Sequence, residues 1–269
     1  MRIAAPEFGP LALIALRTGI AVLCLLPLVV LSGKIRLLRD NFGRLLLLGV
    51  IGTAIPFTLL SYATLHVSAG YTSIINSTAT IFTAFIAWLW VNERLNRSAV
   101  LGIVLGSCGV IVLAMDQHGG KGIALIPVLA GLTATLCYGI GANFSKQKLA
   151  HTEPLVIALG SQLGATLMLA PLAINWWPEV QPGLHAWLAV SALGVFCTGV
   201  AFILFFRLIA HVGVNQAMSV TYLIPFFAII WGMLILAEQL SLYMMAGGAL
   251  ILLCVGLTTG LLQRRFRRT

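Results

Sequence analysis

The polar side chains that could do chemistry are few, and one of them is a strong charge inside an apolar run. All carboxylates and histidines lie in polar stretches or at the ends of apolar runs, whereas Arg17 lies within one. Burying such a charge is costly unless it is paired, reaches an interface or meets a ligand. Arg17 is therefore either a counter-charge for an anionic or zwitterionic small molecule, or a snorkelling or structurally paired arginine.

A second group of polar and aromatic side chains lies near the middle of apolar runs. Its members are Asn76, Ser77, Thr80, Tyr138, Thr221 and Tyr222. Hydroxyls and amides in such places either line a cavity or bond neighbouring helices together, at a net gain of about 0.6 kcal/mol per bond. For any single residue, bonding between helices is the simpler interpretation. For the whole set, we expect some contact with a small molecule.

Patterns of catalysis and metal binding are missing from the sequence. It contains no phosphate-binding loop, no HExxH and no GxSxG, and a membrane enzyme would need a titratable cluster that the apolar runs do not supply. The cysteines lie in apolar runs without a CxxC pair, at Cys24, Cys108, Cys137, Cys197 and Cys254. We therefore predict no catalytic residue, no metal and no cofactor.

The composition requires a membrane. Hydrophobic residues make up 60% of the 269 positions and charged residues 9%, against about a quarter charged in a soluble domain. The net charge of +9 comes from short basic clusters between apolar runs, which argues against nucleic acid as a partner. The lipid bilayer is the expected surrounding of this chain.

Apolar runs long enough to cross a bilayer number nine. They are placed at 11–31, 45–65, 70–91, 98–115, 122–144, 155–175, 186–206, 213–236 and 242–262. The sequence thus predicts an all-α polytopic membrane protein. Because cytoplasmic loops retain Lys and Arg, the basic tail at Arg264, Arg265, Arg267 and Arg268 is predicted to be cytoplasmic. We expect a multi-pass protein of the cell membrane, with Trp176 and Trp177 at the outer interface.

The two halves of the chain repeat each other. A shift of 145 positions pairs Gly49 with Gly194, Thr53 with Thr198, Phe57 with Phe202, His66 with His211, Glu93 with Glu238, Leu95 with Leu240 and Gly102 with Gly247. A shift of 144 pairs Pro10 with Pro154 and Pro27 with Pro171. Since Glu93 is predicted to be cytoplasmic and Glu238 outside, the repeats are inverted, an arrangement that supports alternating access to a central site.

Three segments resemble the EamA-like branch of the drug/metabolite transporter superfamily. They are ALR at 15–17 with the LLPL that ends its span, the stretch from SYATLHVSAGYTS to CGVIVL at 61–113, and YLIPFFAIIWGMLILAEQLS at 222–241. The resemblance implies ten helices in two inverted repeats of five that move metabolites, often outward. Pro225 matches the family's proline and its counterpart Thr80 does not, which lowers the expectation of a helix irregularity in the first half.

The repeats are predicted at 1–116, with four spans, and at 117–269, with five. Pro154 follows a complete span, whereas Pro10 follows nine residues, too few to cross a bilayer. Nine spans and a cytoplasmic tail also place Met1 outside, with no signal-peptide pattern to carry it there. We therefore expect the first helix of the family pattern to be missing from this chain.

These features together predict a secondary permease or exporter of a small metabolite, working by alternating access through a cavity between the repeats. A channel or a non-transporting membrane scaffold is the alternative. GxxxG spacings at Gly102 and Gly106, Gly160 and Gly164, and Gly256 and Gly260 favour close helix packing within the chain, with a homodimer as the other interpretation.

Glu93 and Glu238 each end an apolar run. A carboxylate at a helix C-terminus opposes the helix dipole, so other contacts must hold it. Hydrogen bonds to the first amides of the next helix, begun by Ser98 and Ser241, would make both glutamates structural turn clamps. A gating or coupling role is the alternative.

Single-cysteine labelling tests the predicted topology. In a chain without native cysteines, Arg94→Cys and Lys148→Cys should react with an impermeant thiol reagent only after the membrane is permeabilised, because both loops are predicted to be cytoplasmic. Glu179→Cys, in a loop predicted to lie outside, is the control and should react in intact cells. Reaction of either cytoplasmic position in intact cells would overturn the topology.

Overall fold

Helices make up every regular element in the part of the chain that the structure describes. The structure is a computed structural model. It describes residues 1, 3–91, 125–213 and 241–258, together with Leu101, 104–106, 108–109, 111–112, Ala217, Ile224, Phe227, 230–231 and 233–234.

The helices of the first half follow the predicted spans closely. They are α1 (Ala5–Leu31), the short α2 (Ile35–Asp40), α3 (Phe42–Gly49), α4 (Ile55–His66), α5 (Ala69–Ser77) and α6 (Ala79–Val91). α1 begins before the predicted residue 11, and Gly9 interrupts it with φ 71° and ψ 165°. Only glycine adopts this conformation without strain, and Pro10 then restarts the helix.

The second half contains α7 (Leu125–Lys148), α8 (Pro154–Asn175), α9 (Leu184–Gly194), α10 (Ala201–Val212) and α11 (Leu242–Thr258). Within the described residues, six helical segments are long and apolar enough to cross a membrane. They are Ala5–Leu31, Phe42–His66, Gly70–Trp90, Leu125–Lys148, Pro154–Asn175 and Leu184–Val212. The predicted all-α membrane fold is confirmed, and α11 begins where the last predicted span begins. The spans predicted at 98–115 and 213–236 lie largely outside the described residues.

Contacts divide the chain into two compact units. The first contains Met1–Leu65 and Phe144–Ala217, and the second contains His66–Asn143 and Met218–Thr269. In the first unit α1 and α8 lie side by side, α3 packs on α8, and α9 packs on α1. Part of the core of this unit consists of Leu25, Val29, Leu38, Leu45, Leu48, Leu149, Val156, Ile157, Leu159 and Phe206.

Two π-helical segments join helices of the first unit. Val50–Ala54 connects α3 to α4, and Val195–Val200 connects α9 to α10. A π turn holds one more residue than an α turn and is frequent at functional sites. The two segments start 145 positions apart, so they occupy the same place in the two repeats.

The glycine before each π-helical segment allows it to lie directly on a neighbouring helix. A Cβ at Gly49 would overlap the carbonyl oxygen of Ser161 in α8 and lie 2.8 Å from the backbone nitrogen of Ala165. A Cβ at Gly194 would be 2.7 Å from the Cβ of Ile20 and 3.0 Å from the carbonyl oxygen of Arg17 in α1. Because Ser161 stands 144 positions after Arg17, these contacts are also equivalent in the repeat. The first unit therefore contains two equivalent glycine contacts, one from each repeat.

The GxxxG spacing in α8 is occupied by packing within the chain. A Cβ at Gly160 would be 2.6 Å from the Cδ1 of Leu45, and one at Gly164 would be 2.7 Å from the Cα of Leu46. Both contacts are with α3, so this pair of glycines serves intramolecular packing.

A one-residue turn at Thr78, called the break below, separates α5 from α6. Its backbone stays helical, with φ −66° and ψ −11°, so Gly70–Trp90 remains one helical segment. Several hydroxyls on both sides of the break donate to carbonyls three or four residues earlier in the chain. The donors are Ser73, Ser77, Thr78, Thr80 and Thr83. Such bonds compete with the backbone ladder and bend helices. The local turn at Thr78 thus occurs without a proline.

Gly49→Ala should strongly destabilise the first unit. The new Cβ would meet backbone atoms of Ser161, Gly164 and Ala165, which cannot rotate away, and overpacking costs about 1–3 kcal/mol or more. Gly43→Ala in the same helix is the control, since a Cβ at Gly43 would have no neighbouring atom within 4 Å. The yield and melting temperature of detergent-extracted protein measure both variants. Equal values for Gly49→Ala and Gly43→Ala would contradict the proposed packing.

Candidate functional site

Arg17 lies deep in the first unit. It follows Phe8 by nine positions, with the interruption of α1 at Gly9 between them. Phe8 packs edge-on against Trp177, with ring centroids 6.2 Å apart, and Trp177 is the residue predicted to lie at the outer interface. The side chain of Arg17 is 6% exposed. Arg17 is thus buried within the first unit.

The second π-helical segment holds the guanidinium of Arg17. Its Nε donates to the hydroxyl of Thr198 at 2.5 Å, and its Nη2 donates to the carbonyl of Cys197 at 3.3 Å. The hydroxyl of Thr198 donates to the carbonyl of Leu193, five residues earlier, at 2.8 Å. The Cζ of Arg17 lies 4.1 Å from the ring centroid of Phe57 in α4. Helices from both repeats therefore fix the position of this charge.

These contacts offset the free-energy cost of burying the charge of Arg17 among apolar helices. Insertion scales assign a cost of about 2.5–3.5 kcal/mol to an arginine at the centre of a membrane helix. A desolvated cation–π contact contributes about 2 kcal/mol, and a hydrogen bond to a charged group contributes about 1.5–3 kcal/mol. The field of Arg17 also acts on its surroundings: burial first, and then the charge of Arg17, lower the pKa of the Met1 amino group to about 6.

The equivalent place in the other repeat has the same framework without the cation. Phe57 and Phe202 meet edge to face, with ring centroids 6.0 Å apart. Thr53 is the counterpart of Thr198 and is 1% exposed, and its hydroxyl makes no hydrogen bond among the described residues. Ser161, the counterpart of Arg17, donates to the carbonyl of Ala158 at 3.0 Å. We call the two π-helical segments, Val50–Ala54 and Val195–Val200, the two arms. The arms thus share their packing, and only the second one has a cation beside it.

The predicted residues of the third span lie at its break and differ in what they do. Ser77 and Thr80 are buried, and their hydroxyls donate to the carbonyls of Ile74 at 2.6 Å and Ser77 at 3.0 Å. Asn76 is half-buried, and its buried Oδ1 accepts no hydrogen bond among the described residues. Ser77 and Thr80 therefore serve the helix backbone, whereas Asn76 offers an acceptor.

The second unit also contains α7, which packs closely on α6. A Cβ at Gly139 would be 2.8 Å from the backbone of Phe82. Asn143 joins the same helices by donating to the carbonyls of Thr83 at 3.0 Å and Gly139 at 2.9 Å. The predicted residue Tyr138 is half-buried on α7. The other predicted residues, Thr221, Tyr222, Glu93 and Glu238, lie outside the described residues.

Sequence reasoning did not assign roles to three residues of the first unit. Thr198 and Phe57 contact Arg17. The repeat alignment paired both residues with counterparts, but it did not indicate that they contact an arginine. Gln162 in α8 is fully buried, and neither of its amide atoms has a hydrogen-bond partner among the described residues. Gln162 lies between Gly160 and Gly164 in an apolar run. This pattern could have indicated a polar side chain buried at a close contact between helices.

Apolar helices long enough to cross a membrane several times, with a few polar groups buried among them, indicate a multi-pass membrane protein. The sequence matches the EamA-like transporter family over residues 1–115 and 125–260. The chain belongs to this family. The resemblance that the three sequence segments indicated is confirmed, and the chain is a transporter rather than an enzyme.

Relatives and a solved structure agree with this assignment. An uncharacterized transporter of Archaeoglobus fulgidus is 25% identical over 246 residues, 91% of this chain and 87% of the relative. A probable terminal-alkyne amino-acid exporter of Streptantibioticus cattleyicolor is 25% identical over 209 residues, 76% of this chain and 68% of the relative. A crystal structure is similar with a TM-score of 0.71 and 22% identity, covering 96% of this chain and 89% of that one. This last match supports the fold.

Asn76 and Asn143 should respond in opposite ways to truncation. Asn143→Ala removes one hydrogen bond between α7 and α6, to the carbonyl of Thr83, and one within α7, to the carbonyl of Gly139, and we expect a loss of about 1–3 kcal/mol in stability. Asn76→Ala removes a buried acceptor that has no partner among the described residues, so stability should be unchanged or higher while transport falls. Thermal melting in detergent and a flux assay measure both effects. Equal destabilisation by the two variants would show that Asn76 is a packing residue.

Proposed function

We propose that this chain exports a small amphipathic metabolite across the cell membrane, and that amino acids are the first class to test. The observation that carries the proposal is membership of the EamA-like family over both halves of the chain. The direction and the class follow from a relative whose name describes amino-acid export. The C-terminus is cytoplasmic in this proposal, because the basic residues are concentrated on that side.

In this proposal transport proceeds by alternating access. The inverted repeats at 1–116 and 117–269 exchange conformations, so that a central site opens first to one side of the membrane and then to the other. Inverted repeats of opposite orientation can adopt two equivalent arrangements that open to opposite sides. The paired π-helical segments support this, since each repeat contributes the same glycine-packed arm. A substrate site where the repeats meet would include Asn76, Tyr138 and Tyr222.

The buried oxygen of Asn76 supports its role in that site. Polar groups buried within membrane-spanning helices often mark the path of a substrate. Asn76 lies two residues before Thr78, and its buried Oδ1 accepts no hydrogen bond among the described residues. An ammonium or hydroxyl group of a metabolite would satisfy this oxygen.

Counterflow in proteoliposomes tests the proposed function. Vesicles containing the purified chain and loaded with unlabelled leucine should accumulate external radiolabelled leucine, and the initial rate should saturate with concentration. Phenylalanine and threonine extend the panel, and vesicles without protein are the control. Accumulation above the control that saturates is the expected result, because an alternating-access carrier exchanges one bound molecule at a time.

The alternatives give different results in the same assay. A channel would show a rate that rises linearly with concentration and no counterflow. A non-transporting scaffold would give no flux for any member of the panel, although the protein melts as a folded species. Either result would overturn the proposed export of amino acids.

A further inference from the structure

We propose that the first unit binds the headgroups of anionic phospholipids at one of its ends, and that the short helix α2 provides the surface for this contact. Such a contact concerns the lipid around the protein rather than the transported molecule. Three features support it, namely the one-sided charge of the first unit, the exposed arginines of α2 and the apolar side chains beside them.

Basic residues are concentrated at one end of the first unit. Three segments at this end carry seven basic and two acidic residues, a net charge of +5. The segments are 32–44, 144–153 and 206–212. Each contributes a buried side chain to one core cluster, in which Leu38, Leu149 and Phe206 take part. The structure therefore gathers charges from distant parts of the sequence into one positive surface.

The opposite end of the first unit has the reverse charge. There the backbone amide of Gly183 donates to a carboxylate oxygen of Glu7 at 2.6 Å. The segments 3–8 and 175–185 at this end contain two carboxylates and no lysine or arginine. Lipid headgroups thus meet a positive surface at one end of the unit only.

The helix α2 turns two arginines outward at the basic end. Its one buried side chain, Leu38, holds it in the core of the unit. Arg36 and Arg39, three positions apart, share the face that points away from Leu38, and both are exposed. Among the described residues, neither guanidinium has a hydrogen bond or an ion pair. Asp40, also exposed, is the one carboxylate on α2.

Apolar side chains lie beside these arginines. Ile35 is 49% exposed, Leu37 36% and Phe42 42%. Exposed apolar residues next to cations are typical of a segment that lies in the membrane interface. A phospholipid fits both kinds of group, because its phosphate accepts hydrogen bonds from guanidinium groups and its acyl chains cover the apolar side chains. A free anion would use the arginines alone.

Thermal melting in detergent with added lipid measures this binding. Phosphatidylglycerol should raise the melting temperature of the purified chain in a saturable way, whereas phosphatidylcholine, which has no net charge, should not. The midpoint of the titration gives the affinity. Arg36→Gln and Arg39→Gln should each weaken it about fivefold, the contribution of one basic residue beside an anionic membrane surface.

Two further variants separate a binding role from a structural one. Arg36→Lys combined with Arg39→Lys should keep most of the affinity, because both charges remain. Asp40→Asn should strengthen binding, since it removes a carboxylate that repels the headgroup. Melting temperatures without lipid identify any variant that fails to fold. Folded Arg36→Gln and Arg39→Gln variants with unchanged affinity would overturn the proposal.

The double variant Arg264→Gln with Arg265→Gln is the matched control, because it removes the same charge as the pair of α2 variants from the tail, outside the described residues. It should leave the affinity nearly unchanged. An equal loss in the tail variant and in the combined α2 variant would show that overall charge governs binding, and would contradict a surface on α2.

Glycerol phosphate, the soluble headgroup, distinguishes a lipid from a free anion. It should neither raise the melting temperature nor compete with phosphatidylglycerol at the same concentration. Raising the salt from about 0.1 M to about 1 M should weaken lipid binding, because the Debye length falls from about 10 Å to about 3 Å. Stabilisation by glycerol phosphate or by phosphatidylcholine equal to that by phosphatidylglycerol would overturn the proposal.

Discussion

The close contact of a glycine with the backbone of a neighbouring helix is the interaction on which the first unit depends. Gly49 lies on α8 and Gly194 lies on α1, and neither contact leaves room for a Cβ. In a bilayer, backbone groups must be satisfied within the protein, so an irregular helix is tolerated only where it is packed. Both π-helical segments begin directly after these glycines, and the second one places Thr198 against Arg17. The position of the buried charge therefore depends on a contact that involves no charge at all.

Comparison of the two arms distinguishes the residues that serve packing from the residue that carries a charge. Both arms have a glycine, a buried threonine and a phenylalanine at equivalent positions, and the two phenylalanines touch each other. A cation occurs in one arm only. The two arms therefore share one framework, and the buried cation distinguishes the second arm from the first.

Much of the fold was predictable because a bilayer imposes length and polarity on each helix. Apolar runs predicted the helices, and the repeat predicted which helices are equivalent. The partners of Arg17 were not predictable, because Thr198 lies 181 positions away along the chain and threonine is a common residue in membrane helices. The turn at Thr78 was not predicted either. No proline marks it, and hydroxyls that bond carbonyls of their own helix surround it.

An experimental structure of the reconstituted chain tests the central claim most directly. We expect Gly49 to lie on the backbone of α8 and Gly194 on the backbone of α1, with no room for a Cβ at either position. The hydrogen bond from Nε of Arg17 to Thr198 and the contact with Phe57 should be present in the same structure. A structure in which either glycine is separated from its neighbouring helix while Arg17 keeps these contacts would contradict the claim.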